Sequence, residues 1–164
     1  MKKEIIKFIA LGLIIALFIE IWRIYLINKS ETNILLMVLL YIVYLLFAFY
    51  SINKIKNKFV YYLFFGIIGL IIEVVFLGQF TQTFVNLLVA LSVFTFWGAI
   101  ALIPRLIIEK SLDKFTIYFI LILSIGLFLI YLITNNAVLF IILVLLWNIP
   151  ILRSIFTKRG KAVA

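Results

Sequence analysis

Residues 53–79 read NKIKNK FVYYLFFGIIGLIIEVVFLGQ: a basic turn followed by 21 residues whose one charge is Glu73. A bilayer's hydrocarbon core is ~30 Å thick, so a helix rising 1.5 Å per residue crosses it in roughly 20 residues. The run from Phe59 to Gln79 has that length, and the basic turn before it has the composition of a cytoplasmic loop. Within the run, Tyr62, Gly66, Gly69 and Glu73 recur at steps of four, three and four, the spacing of one helix face. The pattern predicts a membrane-spanning helix whose small residues face a neighbouring helix and whose carboxylate points with them, away from lipid.

Working outward, five further apolar runs of similar length appear, giving spans at about 5–27, 33–52, 59–79, 84–107, 115–133 and 137–156. The breaks between them are short and polar, with no room for a soluble domain, so residues 1–164 form a single polytopic unit. The last break, Thr134-Asn135-Asn136, is a tight turn. Two runs of ordinary length on either side favour two spans there over one over-long helix. Composition agrees: of 164 residues, 68% are apolar and 13% charged, too little polar surface to cover a water-soluble globule. The expected fold is an all-α integral membrane protein, a compact bundle of six transmembrane helices with both termini cytoplasmic. Its first helix is expected to be retained, because the apolar run reaches about Ile27 without a small-x-small cleavage site.

Charge supplies the orientation. With the N-terminus inside, thirteen of the fifteen Lys and Arg fall on the cytoplasmic side, and Arg23 and Lys29 remain outside. The net charge of +9 is thereby spread over helix ends instead of one soluble face, which argues against a nucleic-acid partner. Lipid is the expected surrounding, in the cell membrane, with a membrane-protein partner or a second copy as further company. Arg105 and Arg153 are expected to snorkel to the inner headgroups.

Several chemistries are excluded by absent residues. There is no Cys and no His, which removes thiol redox and histidine-assisted nucleophilic catalysis, and no metal or other cofactor is expected. Asp113 is the single Asp, so paired-aspartate magnesium sites are missing, and no Gly-rich phosphate loop is present.

Against this background the intramembrane polar residues stand out. An ionisable side chain in the hydrocarbon costs from ~2.5 kcal/mol upward, so each marks a candidate site. Glu20 and Glu73 lie on helices expected to run in the same direction, each ~6 Å to the outer side of the midpoint by helical rise. Glu20 shares a face with Gly12, Ala16 and Arg23, and Arg23 is placed to pair with either acid. Two acids and one base leave one negative charge over, which invites a proton or a cationic ligand. Asn86, Ala90, Trp97, Ala101 and Arg105 share a face of the fourth helix, making Asn86 and Trp97 further candidates. Trp97 and Trp147 lie mid-helix, away from the interfacial belts, where an indole N–H needs an acceptor. Pro104 and Pro150 each free a backbone carbonyl one turn earlier, and Asn148 sits beside the second. Trp147, Asn148, Pro104 and Pro150 are expected to form a gate or the floor of a cavity.

In size and layout the chain loosely resembles the six-helix substrate-binding subunits of energy-coupling-factor transporters and a membrane protein of the rod-shape machinery. The stretch from Asn33 to Gly78, with Gly69-x-x-x-Glu73, carries that resemblance, which rests on layout and not on a specific motif. The leading expectation is a binding or translocation subunit for a small molecule or ion, with an outward-facing polar site on Glu20 and Glu73 between the first, third and fourth helices. The alternatives are an intramembrane lipid or isoprenoid enzyme using the two Glu as acid and base, or a structural subunit of a cell-envelope complex.

Overall fold

The structure is a computed structural model describing residues 2–27, 34–75, 87–112, 114–134 and 138–157. These form six helices: α1 Lys2–Ile27, α2 Ile34–Ser51, α3 Lys58–Val75, α4 Leu87–Ile108, α5 Lys114–Thr134 and α6 Val138–Thr157. No strand occurs among the described residues. An apolar backbone cannot leave its N–H and C=O groups unmet in hydrocarbon, and a helix satisfies them within one segment. Among the described residues, three stretches are long and apolar enough to cross a membrane: Lys58–Val75, Ala90–Ile108 and Phe115–Thr134. The Thr134 break separates two helices that pack against each other, α5 and α6.

At the centre stands α4. It packs most extensively on α3 and also on α1, α6 and α2, and every residue from Thr95 to Leu106 is buried. A helix buried all round has no amphipathic stripe to read. The α3–α4 contact is antiparallel, placing Lys58 by Glu109, Tyr61 by Arg105 and Gly69 by Trp97. Glycines set its closeness. A Cβ on Gly69 would overlap Cβ and Cγ of Trp97, one on Gly66 would lie 2.6 Å from the Phe94 ring, and one on Gly98 would lie 2.7 Å from the Tyr62 ring. Each helix thus receives aromatic side chains of the other where it lacks a side chain of its own, the close approach that small residues allow within membranes. Gly12 of α1 receives Leu45 of α2 in the same way. By contrast α5 lies at the periphery, leaving Phe115, Tyr118, Ile122, Ile125, Leu129 and Ile133 exposed.

One end of the bundle is tied by charge. Asn57 Oδ1 accepts from the backbone N–H of Phe59 at 3.0 Å, capping α3. At the end of α4, Ser111 N donates to Leu106 O at 2.7 Å and Lys110 N to Ile107 O at 3.1 Å, with Lys110 at φ 50°. These are the two bonds of a Schellman C-cap, in which the left-handed position is usually glycine. Arg105, only 4% exposed, donates to Ile55 O at 2.8 Å, to Lys56 O at 3.1 Å and to Glu109 Oε1 at 2.8 Å. Its guanidinium carbon also lies 4.6 Å from the Tyr61 ring centroid. The expectation that Arg105 snorkels to headgroups is therefore corrected. Backbone carbonyls of the α2–α3 turn satisfy it inside the protein, and a fork of five donors is suited to reaching several acceptors at once. Lys58 completes the knot, with Nζ 2.8 Å from Glu109 Oε2 and 2.7 Å from Ser111 Oγ.

Glu109 lies beyond the end of α4. Partial burial would raise its carboxyl, but the hydrogen bonds from Lys58 and Arg105, with their positive charges, outweigh that and hold it below the usual carboxylate value. A carboxyl depressed in the folded state stabilises above its unfolded value of ~4.3 and loses that contribution as pH falls through the lower folded value. Unfolding midpoints measured in detergent between pH 7 and pH 3 are expected to drop in this acid range. Glu109→Gln is expected to be less stable at pH 7 and to show a smaller acid-induced drop.

Candidate functional site

Glu73 is 1% exposed, on the α3 face that also buries Tyr62, Gly66 and Gly69, as the spacing predicted. It stands fifteen positions beyond Lys58, ~22 Å along the helix from the basic end. Its Oε1 accepts from Trp97 Nε1 at 3.2 Å. Two residues singled out separately, one as an intramembrane acid and one as a mid-helix indole in want of an acceptor, are thus each other's partners.

Trp97 is held from three directions. Its stem rests on Gly69 of α3. Tyr41 of α2 stacks on its ring, with centroids 4.9 Å apart and planes inclined at 28°, and Tyr44 meets it edge-on at 4.8 Å and 71°. The Tyr44 hydroxyl lies 2.6 Å from the Trp97 carbonyl, to which it donates, and 3.2 Å from that of Phe65. One phenol therefore bridges α2 to α4 beside α3. Offset and edge-to-face pairs of this kind add ~0.5–1.5 kcal/mol each beyond their buried area. The result is a fixed indole whose N–H is aimed at a carboxylate in an aromatic surround.

Below this, toward the basic end, the Tyr62 hydroxyl donates to Asn148 Oδ1, joining α3 to α6. Tyr61 donates to Ala48 O at 2.9 Å, joining α3 to α2. Asn148 and Trp147, adjacent in sequence, part company: Asn148 meets α3, whereas Trp147 lines a space against α1, α4 and α5. Pro104 and Pro150 are buried within α4 and α6, and both helices continue beyond them.

Of the other predicted residues, Glu20 and Arg23 lie on α1, but their side chains fall outside the described part of the structure. Asn86 lies outside the described residues altogether. Among the described residues, no cluster of three or more acidic side chains could hold a metal ion. Sequence reasoning passed over Tyr41 and Tyr44. Tyr41 and Tyr44 belong to the buried stripe Met37, Tyr41, Tyr44, Leu45, Ala48 of α2; phenols on the inward stripe of an apolar helix, each needing an acceptor, were the available signal.

A cavity of about 410 Å³ lies between α1, α4, α5 and α6, lined almost wholly by aliphatic side chains with Phe18 and Trp147. It is separate from the Glu73–Trp97 pair. Comparison with protein-family models, with curated proteins and with solved structures finds no match to this chain.

Proposed function

We propose that this chain is a six-span protein of the cell membrane, with both termini cytoplasmic, that binds or passes a small cation, the proton included, at Glu73. The supporting observation is the Glu73–Trp97 pair: a carboxylate 1% exposed, on one of the helices apolar enough to cross a membrane, with an indole N–H on one oxygen. A charge in hydrocarbon is costly and functional by default. A carboxylate supplies the counter-charge for a cation. The α2 phenols hold the indole so that the carboxylate has a fixed position to bind at. Glu20 and Arg23, one and two turns from Ala16 along α1, extend the same site in this reading, and it is the outer side of the bundle from which a ligand enters.

The test is cation entry into vesicles. Wild-type and Glu73→Gln chains are reconstituted in equal amounts in vesicles containing a dye selective for the ion under test (protons, sodium or potassium), and entry of that ion is driven by an imposed concentration gradient. Wild type is expected to exceed protein-free vesicles for at least one of these ions, and Glu73→Gln to lose about tenfold of that excess, the carboxylate charge being the attraction removed. Equal rates for the two chains contradict the reading and favour the alternative of a structural subunit.

A further inference from the structure

The second feature of the molecule is the apolar groove at its other end, and its dimensions and rim point to one kind of occupant. Its wall on α1 is Leu11, Ile14, Ile15 and Phe18; α4 gives Ile103 and Ile107, and the turn after it Leu112; Trp147 of α6 closes the back. Along α5 it runs from Ile117 to Ile125, ~12 Å by helical rise. That is most of the ~15 Å depth of one leaflet of hydrocarbon. An apolar cavity of ~150 Å³ takes one benzene, so 410 Å³ takes on the order of sixteen carbons. This suits one acyl chain and is far too small for a helix.

The groove has an amphiphile's polarity. Its α1 wall continues toward the basic end through Lys7 and Lys3, at the i−4 and i−8 positions from Leu11 and so on the same face; both are exposed. Exposed Lys110 stands two residues before Leu112, which lines the groove. Of the acids nearby, Glu109 is engaged by Arg105 and Lys58, and Glu4, three residues before Lys7 and seven before Leu11, shares the α1 face, so the rim sets three lysines against one acid and stays net positive.

We infer that this groove binds an anionic phospholipid, one acyl chain lying between α1 and α5 against Trp147 and the phosphodiester held by Lys7 and Lys110. Each lysine near a membrane surface attracts anionic headgroups severalfold over neutral ones. The inference rests on the membrane placement of the helices and not on Glu73, so either proposal can fail without the other.

Contact quenching tests it. The chain is placed in phosphatidylcholine vesicles containing a small fraction of lipid brominated on its acyl chains, as either phosphatidylglycerol or phosphatidylcholine. The difference in quenching between wild type and Trp147→Phe reports the groove. Brominated phosphatidylglycerol is expected to quench Trp147 with about tenfold higher relative affinity than brominated phosphatidylcholine at low salt, and less so in high salt. The double variant Lys7→Gln/Lys110→Gln is expected to abolish that preference, and Ile117→Phe, which narrows the groove without touching its rim, to reduce quenching by both lipids. Equal quenching by the two lipids, no quenching of Trp147, or a preference that survives the double lysine variant overturns the assignment.

Discussion

Arg105→Ala is expected to cost about 3–5 kcal/mol of stability, the usual penalty for breaking a buried charged network by removing one partner. The guanidinium is 4% exposed and serves three acceptors, Ile55 O, Lys56 O and Glu109 Oε1. Its loss strands two carbonyls of the α2–α3 turn, leaves Glu109 with Lys58 alone, and removes the cation from above Tyr61. Arg105→Lys is expected to recover less than half, since one ammonium cannot span acceptors that a planar fork reaches together. Unfolding free energies in mild detergent check the magnitude. Proteolysis within residues 53–57 checks the cause, because cleavage there should accelerate in Arg105→Ala far more than cleavage near α5. A loss below about 1 kcal/mol would mean that the knot is a weak surface arrangement.

Gly69→Ala is expected to be as damaging, at about 3 kcal/mol or more, although it adds a single methyl. The new Cβ would coincide with Cβ and Cγ of Trp97. Those atoms are the stem of the indole and cannot swing aside as a side-chain end can. Relief requires α3 and α4 to separate along their most extensive contact, and overpacking of a tight core typically costs ~1–3 kcal/mol even where some relaxation is available. The same displacement draws Trp97 Nε1 away from Glu73. Gly126→Ala on α5 is the matched control: nothing lies within 4 Å of its added Cβ. There the substitution is expected to be neutral or to gain up to ~1 kcal/mol, the ordinary preference of a helix for Ala over Gly. Unfolding midpoints of the two variants, measured side by side, check the contrast. Equal midpoints would show that the glycine contact does not hold the two helices together.

The six helices were legible because each apolar run is long and each break is short and polar, a signal that survives without knowing any contact. The inward face of α3 was legible for a related reason: Tyr62, Gly66, Gly69 and Glu73 repeat at helical spacing, and the structure buries all four. What periodicity could not supply was the partner. Glu73 was matched in sequence to Arg23 and Glu20, and Trp97 to an unspecified acceptor, because pairing depends on the register of α3 against α4. That register is set by ring-into-glycine contacts between segments far apart in sequence. Arg105 was misread for a different reason. Its acceptors are backbone carbonyls, which are present at every residue and therefore carry no sequence signal. The tyrosines of α2 were hidden by being counted among the apolar residues, although each brings a hydroxyl that must be satisfied. The apolar groove was illegible for the opposite reason, since leucine and isoleucine read alike whether they fill a core or line a space.

If Glu73 is a binding position, the indole of Trp97 beside it reports its occupancy. A chain carrying Trp22→Phe and Trp147→Phe retains Trp97 as its single tryptophan, 3.2 Å from the carboxylate through Nε1, and is excited at a wavelength that tyrosine does not absorb. Its emission is measured while protons, sodium, potassium or tetramethylammonium are added. A saturable change in wavelength or intensity with one of these cations, absent when Glu73→Gln is introduced into the same chain, is the expected result. An emission that ignores all four, or that responds identically with Gln at position 73, contradicts it.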